Sequence, residues 1–442
     1  MTKKLFVQTY GCQQNEYDSI RIGELMTTNG YELTNEMKEA DMVVLNTCHI
    51  REKATQKLYS EIGRIKKVHA GNNKKVLTVV AGCVGQAEGD EIFDRSNHFV
   101  DIVVGPQSYT ELPKLVDKVN QGERRAIELD FILEAKFDIL PESKVAQGAS
   151  GFVSIQEGCD KFCSFCCVPY TRGAEFSRAM EQVYREALML ASKGSKEIYL
   201  LGQNVSAYHG KKPDGSNCDL AELIDLISEI PGVERIRYTT SHPMDMTERL
   251  IDMHGMQKKL MPFLHLPVQS GSNAVLKAMN RKYTREKYLE LIASYKKARP
   301  DIQVSSDFIV GFPGETDEDF DATFSLASEI KFIQSYSFKY SPRPGTPAAL
   351  KTQIDEAVKV KRLAVLQERL IKNQIEFNET CIGKTMPVLF LKEGRYDNQI
   401  IGKTEYMQSV HVDTQEAHNL YGKIIEVKII RALENSLAGV IE

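Results

Sequence analysis

Short apolar runs recur along most of this chain, and nearly every one is followed by a helical stretch rather than by another run. That alternation leaves little choice of architecture, because strands joined through helices pair parallel and are covered on both faces. In residues 1–120 the runs are Lys4–Thr9, Asp41–Asn46, Val76–Ala81 and Val100–Val104, with helices expected at Asp18–Asn29, Arg51–His69 and Tyr109–Val119. This predicts an N-terminal α/β domain built on a parallel sheet. A polar stretch, Glu134–Gly151, reads as connection, so 121–144 is set as a linker. A second series follows at Gly151–Gln156, Glu197–Leu201, Arg235–Thr240, Phe263–Val268, Gln303–Val310 and Gln334–Tyr340. Six such units suit a partial, open (β/α)6 barrel within 145–379, closed off by a charged helix at about Asp355–Glu379. Residues 380–442 change character. Met386–Leu391, Gln399–Gly402, Ser409–Val412, Lys423–Ile430 and Leu437–Ile441 read as strands between glycine and polar turns, predicting a small antiparallel β-barrel.

On this framework the cysteines fall into register. Cys12, Cys48 and Cys83 follow the first three strands at separations of 36 and 35 residues, so a parallel sheet brings all three to one edge. That edge, beyond the carboxyl ends of the strands, is where open α/β sheets bind ligands. Cys159, Cys163 and Cys166 follow the first barrel strand in a C-x3-C-x2-C array. Three thiols are one too few for a tetrahedral zinc site, and the spacing is not that of bacterial ferredoxins. A four-iron cluster on three thiolates keeps one iron open for chemistry. A structural zinc site, a redox pair at Cys163/Cys166, and buried apolar cysteines in the first domain remain alternatives at this point.

Composition bounds the rest. A net charge of −4 gives no global case for a nucleic-acid partner, so any such site is local. Candidates are the basic helix carrying Arg51, Lys53, Lys57, Arg64, Lys66 and Lys67, the loop residue Arg343, and Tyr396, Tyr406 and Tyr421 of the C-terminal segment. No apolar run suits a membrane span, and the N-terminus lacks a signal-peptide core, so a cytoplasmic, membrane-free protein is expected. Nine cysteines in such a chain read as ligands or reactive thiols rather than disulfides.

The chain resembles the methylthiotransferase family of radical S-adenosylmethionine (SAM) enzymes over essentially its whole length. The resemblance is carried by TYGCQQNEYDS, NTCHIREKA, AGCVGQ and VGPQ in the first domain. It continues with GCDKFCSFC, VPYTRGAEFSR, LLGQNVSAY, TTSHP, HLPVQSGS, MNRKYTREKY, DFIVGFPGET and YSPRPGTPAA in the barrel. The last segment resembles the TRAM domain, which binds tRNA.

Three positions depart from the family's usual residues: Gln14 for methionine, Cys167 for an aliphatic and Ala179 for proline. The resemblance implies two 4Fe–4S clusters, an auxiliary one on Cys12, Cys48 and Cys83 and a radical-generating one on Cys159, Cys163 and Cys166. SAM would serve as methyl donor and as radical source, held by Gly202, Gln203, Ser241, Gly311, Pro313 and Glu315. Arg343 would contact RNA. The IREKA segment points to tRNA carrying dimethylallyl-modified adenosine as substrate, rather than threonylcarbamoyl-adenosine or a ribosomal-protein aspartate. An electron donor such as flavodoxin or ferredoxin and a monomeric state complete the expectation. A non-catalytic iron–sulfur or zinc RNA-binding protein is the alternative of another class.

Overall fold

The computed structural model describes residues 2–49, 52–70, 76–131, 136–137, 140–141 and 146–441. The N-terminal sheet has six parallel strands in the order Tyr31–Leu33, Lys3–Tyr10, Met42–Thr47, Leu77–Ala81, Ile102–Val104 and Ala126–Glu128. Met42–Thr47 is buried at every position, as a central strand covered on both faces must be. One face packs Leu5, Val44 and Val79 against the helices Gln13–Thr27 and Leu112–Asn120. The other packs Val43, Leu45 and Val80 against Glu52–His69. Two strands exceed expectation: Tyr31–Leu33 at one edge and Ala126–Glu128 at the other. The second lies in the stretch read as linker, so the sheet runs beyond residue 120. Parts of the expected linker, 132–135, 138–139 and 142–145, lie outside the described residues, as do Arg51 and the side chain of Lys53.

Six parallel strands form the partial barrel. Ser150–Ser154, Glu197–Leu201 and Arg235–Tyr238 make one half; Phe263–His265, Gln303–Val310 and Gln334–Lys339 make the other. A bridge between Ile236 and Leu260 joins the halves. Val153, Ile198, Leu200, Ile236, Val304 and Phe308 turn outward into the main core beneath the helices. Inward-facing Tyr199 and Leu201 instead join the core of the N-terminal domain, so that domain closes the open side of the barrel.

The C-terminal strands Thr385–Glu393, Gln399–Lys403, Ser409–Asp413, Ile424–Ala432 and Ser436–Val440 form a closed five-stranded barrel. Its pairings are antiparallel except Ser409–Asp413 with Ser436–Val440, which is parallel. It is docked on the larger barrel. Arg237 donates to the carbonyls of Thr404 and Glu405 at 2.9 and 2.7 Å, while its Nε holds Glu197 at 2.6 Å. No described helix is long and apolar enough to cross a membrane.

Candidate active site

The three N-terminal cysteines meet at the carboxyl edge of the sheet. Cys12 is the residue before the helix Gln13–Thr27, and its backbone N–H and thiol both reach Asn15 Oδ1, at 3.4 and 3.5 Å. The thiol of Cys48 donates to Cys12 and, with the charge of Arg172 and the helix-terminal N–H groups, draws the Cys12 pKa down to about 6. Cys83 opens the helix Cys83–Glu88; burial raises its thiol, against a hydrogen bond and positive charge from Arg172. The loops stand close enough to demand glycine before two of the cysteines. A Cβ on Gly11 would fall 2.8 Å from Cys48 Cβ, and one on Gly82 (φ +87°) would fall 2.3 Å from Asn46 Oδ1. Asn46 and Asn15, both fully buried, exchange amide hydrogen bonds that lock two of these loops together.

The second set lies on the loop after Ser150–Ser154. Its path is fixed from four sides. Gly158 N–H donates to Gln203 Oε1 at 2.7 Å, Cys159 N–H to the Gly173 carbonyl at 3.2 Å, Ser164 N–H to Met279 at 2.9 Å, and Asn280 Nδ2 to Phe162 at 2.9 Å. Phe162 takes a left-handed φ of +46°, which lets the chain reverse between Cys159 and Cys163. Burial pushes the Cys159 thiol up to about 11, and burial with the neighbouring thiols raises Cys166 well above the usual thiol range. The Arg281 guanidinium lies 3.5 Å from Cys163 Sγ. Each set is all-thiol, the donor chemistry of iron–sulfur clusters. Among the described residues no three His, Cys, Asp or Glu side chains are arranged around a single-ion position.

Beside the second set opens a cavity of about 510 Å³. Cys166, Cys167 and Phe165 line one side; Gln269, Asp307, Ile309 and Phe338 line the barrel wall; Arg343 stands at its edge. Cys167 is buried, its thiol pushed up to about 11 by burial, and it lies within electrostatic reach of Cys83. Arg343 acts on both sides: its charge opposes the rise that burial gives Cys167, and after burial it is the next cause of the lowered pKa of His49, beside Cys48.

A buried ionic network crosses from one cysteine set to the other, and it was not anticipated from the sequence. Arg172 Nη2 binds Asp18 Oδ2 at 2.6 Å and its Nη1 lies 3.5 Å from Glu157. Lys136 Nζ holds Glu157 at 2.8 Å and faces Asp18 at 3.7 Å. Two cations and two carboxylates thus balance with almost no solvent contact. Gln14 joins through its amide, donating to Ser154 and Glu157 at 3.0 and 3.3 Å, which gives this departure from the family pattern a structural role. Arg172 and Arg281 both lie inside motifs that carry the resemblance, the only sequence signal that marked them.

The residues expected around SAM are scattered by comparison. Gln203 braces Gly158, while Gly202 packs against Gln156, whose Oε1 accepts from Gln203 and Asn204 N–H groups. Glu315 accepts from Gly311 N–H and Arg362, both at 2.8 Å, and so ties its own Gly311-Phe312-Pro313 turn to the helix Glu356–Glu379. Ser241 Oγ is buried without a hydrogen-bond partner among the described residues, an orphan hydroxyl that suits a ligand. None of these residues lines the cavity; Cys166 and Arg343 do. Among the expected RNA-facing groups, Tyr396 and Tyr421 are exposed, whereas Tyr406 is half-buried and packs edge-on against Phe377. On the basic helix, Lys57 and Lys66 sit over the rings of Tyr10 and Phe99, and Arg64 pairs with Glu61.

Comparison with known proteins agrees with this layout. The model of Uncharacterized protein family UPF0004 matches residues 4–105, that of the Radical SAM superfamily 153–327, and that of the TRAM domain 379–441. The tRNA-2-methylthio-N(6)-dimethylallyladenosine synthase of Rickettsia bellii (strain RML369-C) is 61% identical over 444 residues, covering 99% of each chain. Its counterpart in Orientia tsutsugamushi (strain Boryong) is 58% identical with the same coverage. Among solved structures, the radical S-adenosylmethionine methyltransferase TsrM from Kitasatospora setae superposes with a TM-score of 0.57 at 14% identity, over 87% of this chain and 79% of that one. The cobalamin-dependent S-adenosylmethionine radical enzyme OxsB gives 0.52 at 14% identity, over 84% and 56%. At that identity the likeness is one of fold.

Proposed function

Since the chain belongs to the tRNA-2-methylthio-N(6)-dimethylallyladenosine synthase family, we propose that its two cysteine sets serve one reaction, with the nucleotide held in the cavity that Cys166 and Cys167 line. The protein is a radical SAM enzyme that converts N(6)-dimethylallyladenosine in tRNA to its 2-methylthio derivative. Its cofactors are two 4Fe–4S clusters and S-adenosyl-L-methionine. Cys12, Cys48 and Cys83 hold the auxiliary cluster, and Cys159, Cys163 and Cys166 the radical-generating one. Bound there, these groups supply the radical that activates the adenine C2–H bond, the sulfur, and the methyl group.

The chain's own part is to bring these groups together and keep water out. Phe165, Ile309 and Phe338 give the cavity an apolar wall suited to a flipped-out base and its dimethylallyl tail. Asp307 and Gln269 offer acceptors to the base edge. Arg343, at the cavity edge and within reach of both cysteine loops, holds the phosphate of the target nucleotide. Ser241, Gly311 and Pro313 contribute to the SAM site, with Gly202, Gln203 and Glu315 shaping the turns around it. The first domain extends through Ala126–Glu128, the barrel follows to 379, and the TRAM barrel, 380–442, grips the tRNA through Tyr396 and Tyr421.

The observation that supports this reading is the 2.6 Å bond between Asp18, on the helix after Cys12, and Arg172, six residues after Cys166, which ties the two cysteine loops together. The enzyme acts as a cytoplasmic monomer reduced by a flavodoxin or ferredoxin. The test is anaerobic turnover with dimethylallyl-modified tRNA after cluster reconstitution. It should give 5'-deoxyadenosine and the 2-methylthio nucleoside together; intact clusters with neither product would refute the function. Arg343→Ala should weaken tRNA binding and leave the clusters intact, and unchanged binding would remove its assigned role.

A further inference from the structure

Two buried arginines each approach one thiol of a cysteine set, and they differ in what balances their charge. Arg172, beside Cys83, is met by Asp18 at 2.6 Å and Glu157 at 3.5 Å, with Lys136 completing a neutral group of four. Arg281, beside Cys163, has no such company. Its Nη2 donates to the Pro267 carbonyl at 2.7 Å, its Nε to Tyr283 Oη at 2.9 Å, and its Nη1 points to Cys163 Sγ at 3.5 Å. Among the described residues it forms no ion pair, and its side chain is nearly sealed from water, the residue being 8% exposed. The adjacent His242 ring is kept neutral by burial and by this guanidinium, so it supplies no counter-charge. A guanidinium stays ionised, and an ionised group buried without an anion is strongly destabilising. The one group in contact that can carry negative charge at neutral pH, when ligated to iron, is Cys163.

We infer that Arg281, whose Nη1 lies 3.5 Å from Cys163 Sγ, is the counter-charge of the radical-generating cluster, a positioning residue that raises that cluster's reduction potential above the auxiliary cluster's. The inference rests on the ligand assignment made above. When one electron passes from an external one-electron donor protein to the cluster, the donor is oxidised by one and the cluster gains one negative charge. A fixed cation favours that step. At about 6 Å and an effective dielectric of about 20, a unit charge raises the reduced-to-oxidised ratio by about a hundredfold. Arg172 contributes far less at the auxiliary site because two carboxylates already balance it. The electron is thereby directed to the cluster that must use it.

The test isolates each cluster in the full-length chain. Cys12→Ala, Cys48→Ala and Cys83→Ala together leave only the radical-generating cluster; Cys159→Ala, Cys163→Ala and Cys166→Ala together leave only the auxiliary one. Each protein is reconstituted anaerobically and titrated potentiometrically by EPR without SAM. Arg281→Gln should lower the reduced fraction at fixed potential at least about tenfold, Arg281→Lys should keep most of it, and the charge-balanced pair Arg172→Gln with Asp18→Asn in the complementary background should shift it less. An unchanged midpoint in Arg281→Gln, or an equal shift in the charge-balanced Arg172→Gln/Asp18→Asn pair, overturns the inference. If Arg281→Gln binds no iron while Arg281→Lys does, the counter-charge role stands. If neither binds iron although both are folded by circular dichroism, it falls. Absence of a four-iron signal in the parent triple variants would instead overturn the ligand assignment, and the inference with it.

Discussion

Replacing Lys136 by methionine removes one charge from a site with no solvent to compensate. Lys136 and Glu157 are fully buried, and Asp18 is 1% exposed. The ammonium holds both Glu157 oxygens, at 2.8 and 3.0 Å, and the Pro106 carbonyl at 2.9 Å. Methionine fills similar volume, so packing changes little, but two carboxylates then face Arg172 alone and the group of four goes from neutral to a net charge of −1. Breaking a buried pair from one side costs about 3–5 kcal/mol, because the remaining ion keeps its desolvation penalty. Adding Glu157→Gln restores neutrality, so the double variant should recover about 2–3 kcal/mol relative to the sum of the singles. Urea unfolding of the cluster-free protein, followed by circular dichroism because the chain has no tryptophan, measures both quantities. A loss below about 1 kcal/mol for Lys136→Met, or strict additivity with Glu157→Gln, would refute the claim that this network binds the N-terminal domain to the barrel.

Other outcomes follow from the same geometry. Gly158, at φ +73°, would place a Cβ 1.9 Å from the Ala174 carbonyl. Gly158→Ala should therefore displace the cysteine loop, and iron should fall from about eight to about four per chain with the fold kept; full iron content would contradict it. Arg237→Ala strands the buried Glu197 carboxylate and cuts two bonds to the C-terminal barrel. It should destabilise by about 3–5 kcal/mol and speed limited proteolysis beyond the helix Glu356–Glu379, an effect absent if the barrel docks by other contacts.

Burial depresses His242 to about 2 and His254 to about 3, so both stay neutral in the folded protein while the unfolded chain protonates them below about 6.5. Their contribution is whole above that pH and lost as pH falls, at about 1.4 kcal/mol per pH unit for each. His254→Gln should halve the combined slope in urea titrations between about pH 6 and 4. An unaltered slope would show that these rings are protonated in the fold.

The large elements were legible because burial on two faces leaves its mark on consecutive residues. Glu197–Leu201 and Gln303–Val310 lie where the apolar pattern put them. Tyr31–Leu33 and Ala126–Glu128 escaped notice because three-residue edge strands carry too little apolar pattern to separate from turns. The two cysteine sets were visible for a topological reason: in a parallel sheet, position in sequence after each strand fixes position in space. The SAM-site expectations were weaker because strand-end polar residues have many employments. Gln203 binds Gly158, 45 positions away, and Glu315 binds Arg362, 47 positions away; neither partnership leaves a local trace. Arg172 and Asp18, 154 residues apart, are the extreme case.

Asp18 sits on the helix that begins at Cys12, and Arg172 follows Cys166 by six residues, so their bond clamps the two cysteine loops at a set separation. A swinging carrier, in which one domain ferries its cargo to the other, would have to pull four ionised groups apart into a dry gap. The two cysteine loops are thus fastened as one unit, and any motion that parted them would first have to break this network.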